Sequence, residues 1–184
     1  MRLFSATLRP YALPLGAPLR TAQCVFNHRH GWLLGLSDQQ GRMGWGDAAP
    51  WPGFGSGRAH VERELASLLI EKSPLFNAPL TSPQEIGEWV CREIETPEVA
   101  YAVELALLDL LGQAQNRPIH CLLGGALAER VLTHHLVTQE EIPQTGWVKL
   151  KAGRLPWQED IERVVSLRNR VGEDVEIRLD VGGG

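Results

Sequence analysis

At 184 residues, 43% hydrophobic and 22% charged, the chain is long enough to bury a sizeable core as one domain or two small ones. A formal net charge of -4 gives no reason to expect nucleic acid or an anionic membrane as partner. Three cysteines, Cys24, Cys91 and Cys121, are odd in number and widely spaced, which argues against a disulfide framework or a zinc site and fits a reducing cytosol.

The N-terminus carries Arg2 but no apolar signal region, and no run nears membrane-spanning length, so a soluble cytoplasmic protein is expected. Residues 1–50 read as antiparallel strands: Met1 to Leu13 with an interruption at Pro10, then Ala22 to Leu36. Met43 to Ala48 follows as a hairpin partner across a turn at 37–41. Between the first two, Leu13-Pro14-Leu15-Gly16-Ala17-Pro18-Leu19 breaks the pattern and reads as a flexible loop. His28 and His30 share a strand face, as two metal ligands would, but no third ligand lies near, so solvent-facing histidines are expected. Residues 49–57 form a second loop, dense in Gly, Pro and aromatics including Phe54. No Lys-Ser/Thr pair follows, as a phosphate cradle would need, so it reads as a mobile aromatic lid or a packed connection.

Helices come next. Arg58 to Ile70 places Val61, Leu65, Leu68 and Leu69 near helical spacing. Ser82-Pro83-Gln84-Glu85 opens a second helix as a capping box with Pro at the first position. Thr96-Pro97 opens a third, running to about Ala114 and apolar nearly all round, as in a helix buried between layers. Beyond Leu123-Gly124-Gly125 the pattern changes to strands at 130–137, 147–152 and 174–181. An amphipathic helix at 157–171 has Ile161, Val164, Val165 and Leu167 on its inner side. Strand–helix–strand spacing of this kind predicts a parallel pair with a crossover helix. An α+β cap over residues 1–120 followed by the opening of a parallel α/β structure over 121–184 is therefore expected.

Trp147-Val148-Lys149-Leu150-Lys151-Ala152-Gly153 carries the chemistry. Strand alternation puts Lys149 and Lys151 on one face and Val148, Leu150 and Ala152 on the other. Like charges a strand repeat apart lower each other's proton affinity, a useful arrangement for a general base. The alternative is an edge strand whose lysine row faces water and discourages aggregation. Catalytic groups of parallel α/β folds collect at the carboxyl ends of strands, where Asp180 also lies, in Ile177-Arg178-Leu179-Asp180-Val181. A carboxylate there is a hard-cation ligand, and an adjacent Mg²⁺ would stabilise an enolate formed by a lysine base. Equally, Asp180 could simply begin a Gly-rich turn.

Five stretches decide between these readings. They are Gly44-Trp45-Gly46-Asp47-Ala48-Ala49-Pro50 with its loop to Gly57, Ala102-Val103-Glu104-Leu105-Ala106-Leu107-Leu108-Asp109-Leu110, Pro118 to Gly125, Lys149-Leu150-Lys151, and Arg178-Leu179-Asp180. Together, and in this order, they resemble the enolase superfamily in its muconate-lactonizing-enzyme-like branch. Trp51-Pro52-Gly53-Phe54-Gly55 and the Arg-Leu-Asp strand are most similar to the o-succinylbenzoate synthases.

The resemblance implies an α+β N-terminal cap domain whose loops, around 14–22 and 50–57, close over a (β/α) TIM-type barrel and select a small-molecule carboxylate substrate. It implies Lys151 as the acid/base that removes the proton α to the carboxylate, Lys149 as the neighbour that tunes it, and Asp180 as the first Mg²⁺ ligand. The reaction implied is a syn dehydration of a cyclohexadiene carboxylate in menaquinone or phylloquinone synthesis. Related members would be dipeptide or N-acylamino-acid epimerases or racemases, or cycloisomerases.

Three departures accompany the resemblance. Gly182 stands where the family usually has Asn, and Thr138 to Gly146 is short for a crossover helix. The residues end at Gly184, about three strands into a barrel that needs roughly 250 residues. An incomplete barrel is therefore expected, with two carboxylate ligands and an opposite lysine supplied from elsewhere. The remaining alternative is a noncatalytic remnant with solvated lysines.

Overall fold

A computed structural model describes residues 2–20, 25–53, 55–70, 73–79, 81–125, 128, 130–131, 133–137, 146–153 and 155–181. Phe54, Cys24, Gly182 and the short segment 138–145 singled out above lie outside the described residues. The chain divides into two compact units, residues 1–127 and 128–184.

The first unit opens with an antiparallel sheet ordered β1-β2-β3, formed by β1 (Leu3–Arg20), β2 (Val25–Asp38) and β3 (Met43–Ala48). The proline-rich stretch 13–19 does not leave the sheet as a loop; it stays within β1. Pro14 pairs with His28 and Leu19 with Phe26, so five residues of β1 advance against two of β2 and the surplus bulges out. β1 is an edge strand, where prolines can turn their missing donors away from the ladder. β2 runs on to Asp38, whose Oδ1 accepts the Gln40 and Arg42 amides and whose Oδ2 accepts Arg42 Nε at 2.7 Å. Burial pushes the Asp38 carboxyl up, but the hydrogen bonds from Arg42 and Gln40 outweigh it and hold the group below its usual range. The turn is tightened around that carboxylate.

One long helix lies against this sheet, and the others pack on that helix. The helices are α1 (Arg58–Leu68), α2 (Pro83–Glu93), the long α3 (Pro97–Gln115) and a single turn, α4 (Ile119–Leu122). Ser82 caps α2 by accepting the Glu85 amide, while the Glu85 carboxylate takes the Thr81 hydroxyl instead of closing the box. Thr96 makes no side-chain cap for α3; Glu64 of α1 instead holds the chain just before the helix, accepting the Glu95 and Thr96 amides at 2.8 and 3.0 Å. The apolar α3 is buried along Val99, Ala102, Val103, Ala106, Leu107, Leu110 and Leu111, against Leu34 and Leu36 of β2. It ends at Asn116 in the left-handed region, φ 51°.

Gly44 and Gly46 explain why α3 can lie so close to β3. A Cβ at Gly44 would run into the Ala106 carbonyl oxygen, and one at Gly46 into that of Ala102. Residues two apart on the strand thus meet residues four apart on the helix. Asp109 and Gln113 fasten the same seam: Asp109 Oδ2 accepts the Trp45 amide at 3.0 Å, and Gln113 donates to the Met43 carbonyl at 2.8 Å. Tyr11 lies over Gly31 and donates to Asp47 at 2.8 Å. Burial and that carboxylate push the phenol up to about 12.

The second unit contains a parallel sheet ordered β4-β5-β6, with β4 (His135–Leu136), β5 (Trp147–Ala152) and β6 (Glu176–Val181), and one helix, α5 (Trp157–Val171). The strand expected over 130–137 shrinks to two residues, because pairing needs a partner and β5 begins only at Trp147 opposite that stretch. The last strand starts at Glu176 because Arg168 donates to the Gly172 and Val175 carbonyls, 2.6 and 2.7 Å away, and draws 172–175 into a turn. On α5 the stripe Val164, Leu167 and Val171 packs on Val148, Leu150 and Ile177. Ile161 and Val165, expected on that inner side, are 53% and 52% exposed. With Trp157 they form a second stripe at spacing four that faces away from the described core.

No helix among the described residues is long and apolar enough to cross a membrane. The close β3–α3 seam makes a direct prediction: Gly46→Ala destabilises the protein by about 3 kcal/mol, the upper range for overpacking a tight contact. Gly16→Ala, where nothing lies within 4 Å of the new Cβ, changes stability by less than about 0.5 kcal/mol. Urea unfolding of the two variants tests the pair.

Candidate functional site

β5 alternates in burial along its length: Val148, Leu150 and Ala152 are buried, the first two packed with α5, while Trp147, Lys149 and Lys151 take the opposite face. The parallel register sets Lys149 beside Arg178 and Lys151 beside Asp180, so the charged side chains of both strands share one face. β5 is the middle strand of the described sheet. The edge-strand alternative is thereby corrected.

The lysines do not point separately into water. Lys149 Nζ lies 2.7 Å and Lys151 Nζ 2.8 Å from the same oxygen, Asp180 Oδ2. The side chains are 32%, 43% and 27% exposed in that order, so the cluster is open to a ligand yet partly shielded. Hydrogen bonds from Lys149 first and Lys151 second bring the Asp180 carboxyl down to about 2. The three residues singled out from the sequence are thus brought together at the carboxyl ends of two adjacent parallel strands. Their chemistry is plain: two ammonium groups to hold an anion and move a proton at Nζ, and one hard carboxylate. That carboxylate is of the type Mg²⁺ prefers, but it is a single ligand, and the described residues contain no group of three His, Cys, Asp or Glu able to hold a metal.

Two residues of α5 bind the turn after β5, and they carry no obvious sequence signal beyond their i, i+3 spacing on a predicted helix. Asp160 Oδ2 accepts the Gly153 amide at 2.6 Å, and Asp160 Oδ1 meets Arg163 Nη1 at 2.8 Å. Arg163 Nη1 also donates to the Lys151 carbonyl at 3.1 Å.

In the first unit a cavity of about 350 Å³ is lined by Phe26, His28, Arg29, Trp51, Ser56 and Arg58, among others. His28 and His30 are exposed, with ring centroids 5.9 Å apart. The loop at 49–57 is tied down at both ends. Arg29 donates to the Ala49 and Pro50 carbonyls and stacks 4.7 Å over the Trp51 ring, which itself meets Phe26 at 4.7 Å. Glu98 accepts the Ser56 amide at 2.9 Å, and Gly55 beside that carboxylate sits at φ +73°, a backbone conformation that favours glycine. Neither Arg29 nor Glu98 stood out in the sequence, because a side chain that holds a distant backbone leaves no periodic trace.

Residues 5–124 match the family described as "Mandelate racemase / muconate lactonizing enzyme, N-terminal domain". Muconate cycloisomerase 1 of Acinetobacter baylyi is 26% identical over 192 aligned residues, covering 95% of this chain and 50% of the relative. The o-succinylbenzoate synthase of Thermosynechococcus vestitus is 44% identical over 61 residues, covering 33% of this chain and 19% of the relative. Among solved structures, a dipeptide epimerase from Cytophaga hutchinsonii, complexed with Mg and the dipeptide D-Ala-L-Val, aligns with a TM-score of 0.76 at 20% identity, over 98% of this chain and 52% of that one. The chain spans about half the length of the curated relatives it matches from end to end.

A carboxyl whose folded pKa is lowered stabilises the fold above the unfolded value of about 3.9 and loses that contribution as pH falls toward about 2. The second unit is therefore expected to lose stability to urea on acidification from pH 4 to pH 2. Asp180→Asn removes that acid-dependent loss and lowers stability at pH 7, where two ammonium groups are left facing each other. Urea midpoints measured against pH in both proteins check this.

Proposed function

Because the chain belongs to the mandelate racemase/muconate lactonizing enzyme family of the enolase superfamily, we propose that it carries the proton-transfer half of an active site for α-proton abstraction from a carboxylate, of the o-succinylbenzoate synthase type. One observation carries the proposal: two lysines of one strand face and the carboxylate of the next strand converge within 2.8 Å at the strands' carboxyl ends. Residues 1–120 serve as the cap and 121–184 open the barrel. The outward row Leu179 and Val181 of β6, 47% and 65% exposed, and the α5 stripe Trp157, Ile161 and Val165 are the surface on which further β/α units would pack.

Lys151 takes the proton from the carbon α to the substrate carboxylate. Hydroxide then leaves the adjacent carbon on the same side, and Lys151 returns the proton to it, so that water is released and a C=C bond is formed. Lys149 lies beside it on the same strand face and presents a second amine to the substrate anion. Asp180 is the residue of this chain assigned to Mg²⁺, which when bound supplies charge stabilisation for the enolate oxygens. The product of this dehydration feeds menaquinone or phylloquinone synthesis. A second reading, epimerisation or cycloisomerisation by the same lysines, is favoured by the relatives that align over the whole chain.

The test is an assay of the enzyme in which this chain is joined to the strands that complete its barrel. With Mg²⁺ present it is expected to dehydrate the cyclohexadiene carboxylate at least about 10²-fold more efficiently than it racemises dipeptides or N-acylamino acids or isomerises muconolactone. Chelation abolishes turnover and Mg²⁺ restores it. Racemisation or cycloisomerisation without dehydration sinks the o-succinylbenzoate synthase assignment and leaves the lysine chemistry standing.

A further inference from the structure

We infer that Asp160 and Arg163 are positioning residues for Lys151, an inference that rests on the proton-transfer role proposed for that lysine. The two side chains close a ring around the β5–α5 turn. The Lys151 carbonyl accepts from Arg163, Arg163 is paired with Asp160, and Asp160 accepts the Gly153 amide, all within 2.6 to 3.1 Å. Asp160 is only 13% exposed and Arg163 40%, so the pair is not a freely solvated surface bridge. The ring bears on the end of β5, where no further strand residue holds the backbone beyond Ala152.

Gly153 extends the ring to the neighbouring strand. It sits at φ +79°, and a Cβ there would come within 2.7 Å of Val181 Cγ1. The turn thus lies close to the residue next to Asp180, with no room for a side chain between them. One helix turn therefore holds the backbone end of β5, the strand that carries Lys151, by the Lys151 carbonyl and the Gly153 amide. A lysine has a long, flexible stem, so its Nζ position is only as well defined as the backbone it starts from. Misplacement by about 1 Å can cost a reaction roughly 10²-fold. Lys149 starts two residues earlier and touches neither Asp160 nor Arg163. The ring predicts that it is indifferent to both.

The chain contains only three lysines, Lys72, Lys149 and Lys151, so ¹⁵N-lysine labelling yields three ammonium signals, assignable with Lys149→Met and Lys151→Met. Exchange of each ammonium with water is read in the 184-residue protein, in Arg163→Ala and in Asp160→Asn. The second variant keeps the side chain's shape and one acceptor for Gly153 but turns an amide toward Arg163. Both variants are expected to speed exchange of the Lys151 ammonium about tenfold, the change given by one lost hydrogen bond, and to leave Lys149 at its original rate. An unchanged Lys151 in the folded variants overturns the inference, as does equal loosening of both lysines, which marks a general stabilising role. Should Arg163→Ala not fold, Asp160→Asn decides alone. The readout involves no substrate, so it stands or falls separately from the reaction assigned to Lys151.

Discussion

A single carboxylate oxygen, Asp180 Oδ2, holds two ammonium groups of the neighbouring strand. The second unit is arranged so that this can happen. Two lysines on one strand face repel each other, and the arrangement persists only where an opposite charge is fixed nearby. The parallel register supplies it by setting Asp180 beside Lys151, with Lys149 reaching forward from the pair before. The reverse face of β5 secures the strand, because Val148 and Leu150 are sealed under Leu167 and Val164 of α5. Burial on one face thus sets the chemistry on the other.

In the first unit the corresponding constraint is steric. Gly44 and Gly46 let α3 approach the sheet until helix carbonyls occupy the space of a side chain, and Asp109 locks the register through the Trp45 amide. These are the residues of the stretches by which the chain resembles its family. They are packing residues, which is why the match speaks to fold more strongly than to substrate. The loop at 49–57 differs in kind. It is clamped by Arg29 and Glu98 beside a cavity with aromatic walls and basic side chains.

Much of this was legible because it follows from period and punctuation. The bounds of β5 and α5 coincide with the alternation of 147–152 and the amphipathic run of 157–171, and Pro83 and Pro97 mark two helix starts. Lys149, Lys151 and Asp180 could be placed on common ground because strand alternation and position near a strand's end are local properties. What escaped depends on distant partners. The prolines of 13–19 belong to a strand because β2 lies alongside an edge that can bulge. Ile161 and Val165 look like core on a helical wheel, but the sheet they would cover is reached instead by Val164 and Leu167. Arg29, Glu98, Asp160 and Arg163 all act by binding backbone groups that folding brings to them, and a single sequence carries no mark of such pairings.

The most direct measurement is exchange of the substrate's α-hydrogen with solvent deuterium, followed by NMR, in the enzyme assayed for the proposed dehydration and carrying Lys151→Ala. If the amine on Asp180 is the base, exchange falls by at least about 10²–10⁴-fold while the variant keeps its fold and still binds substrate. Exchange at the unaltered rate would contradict the assignment of Lys151 and with it the chemistry ascribed to this pair of strands.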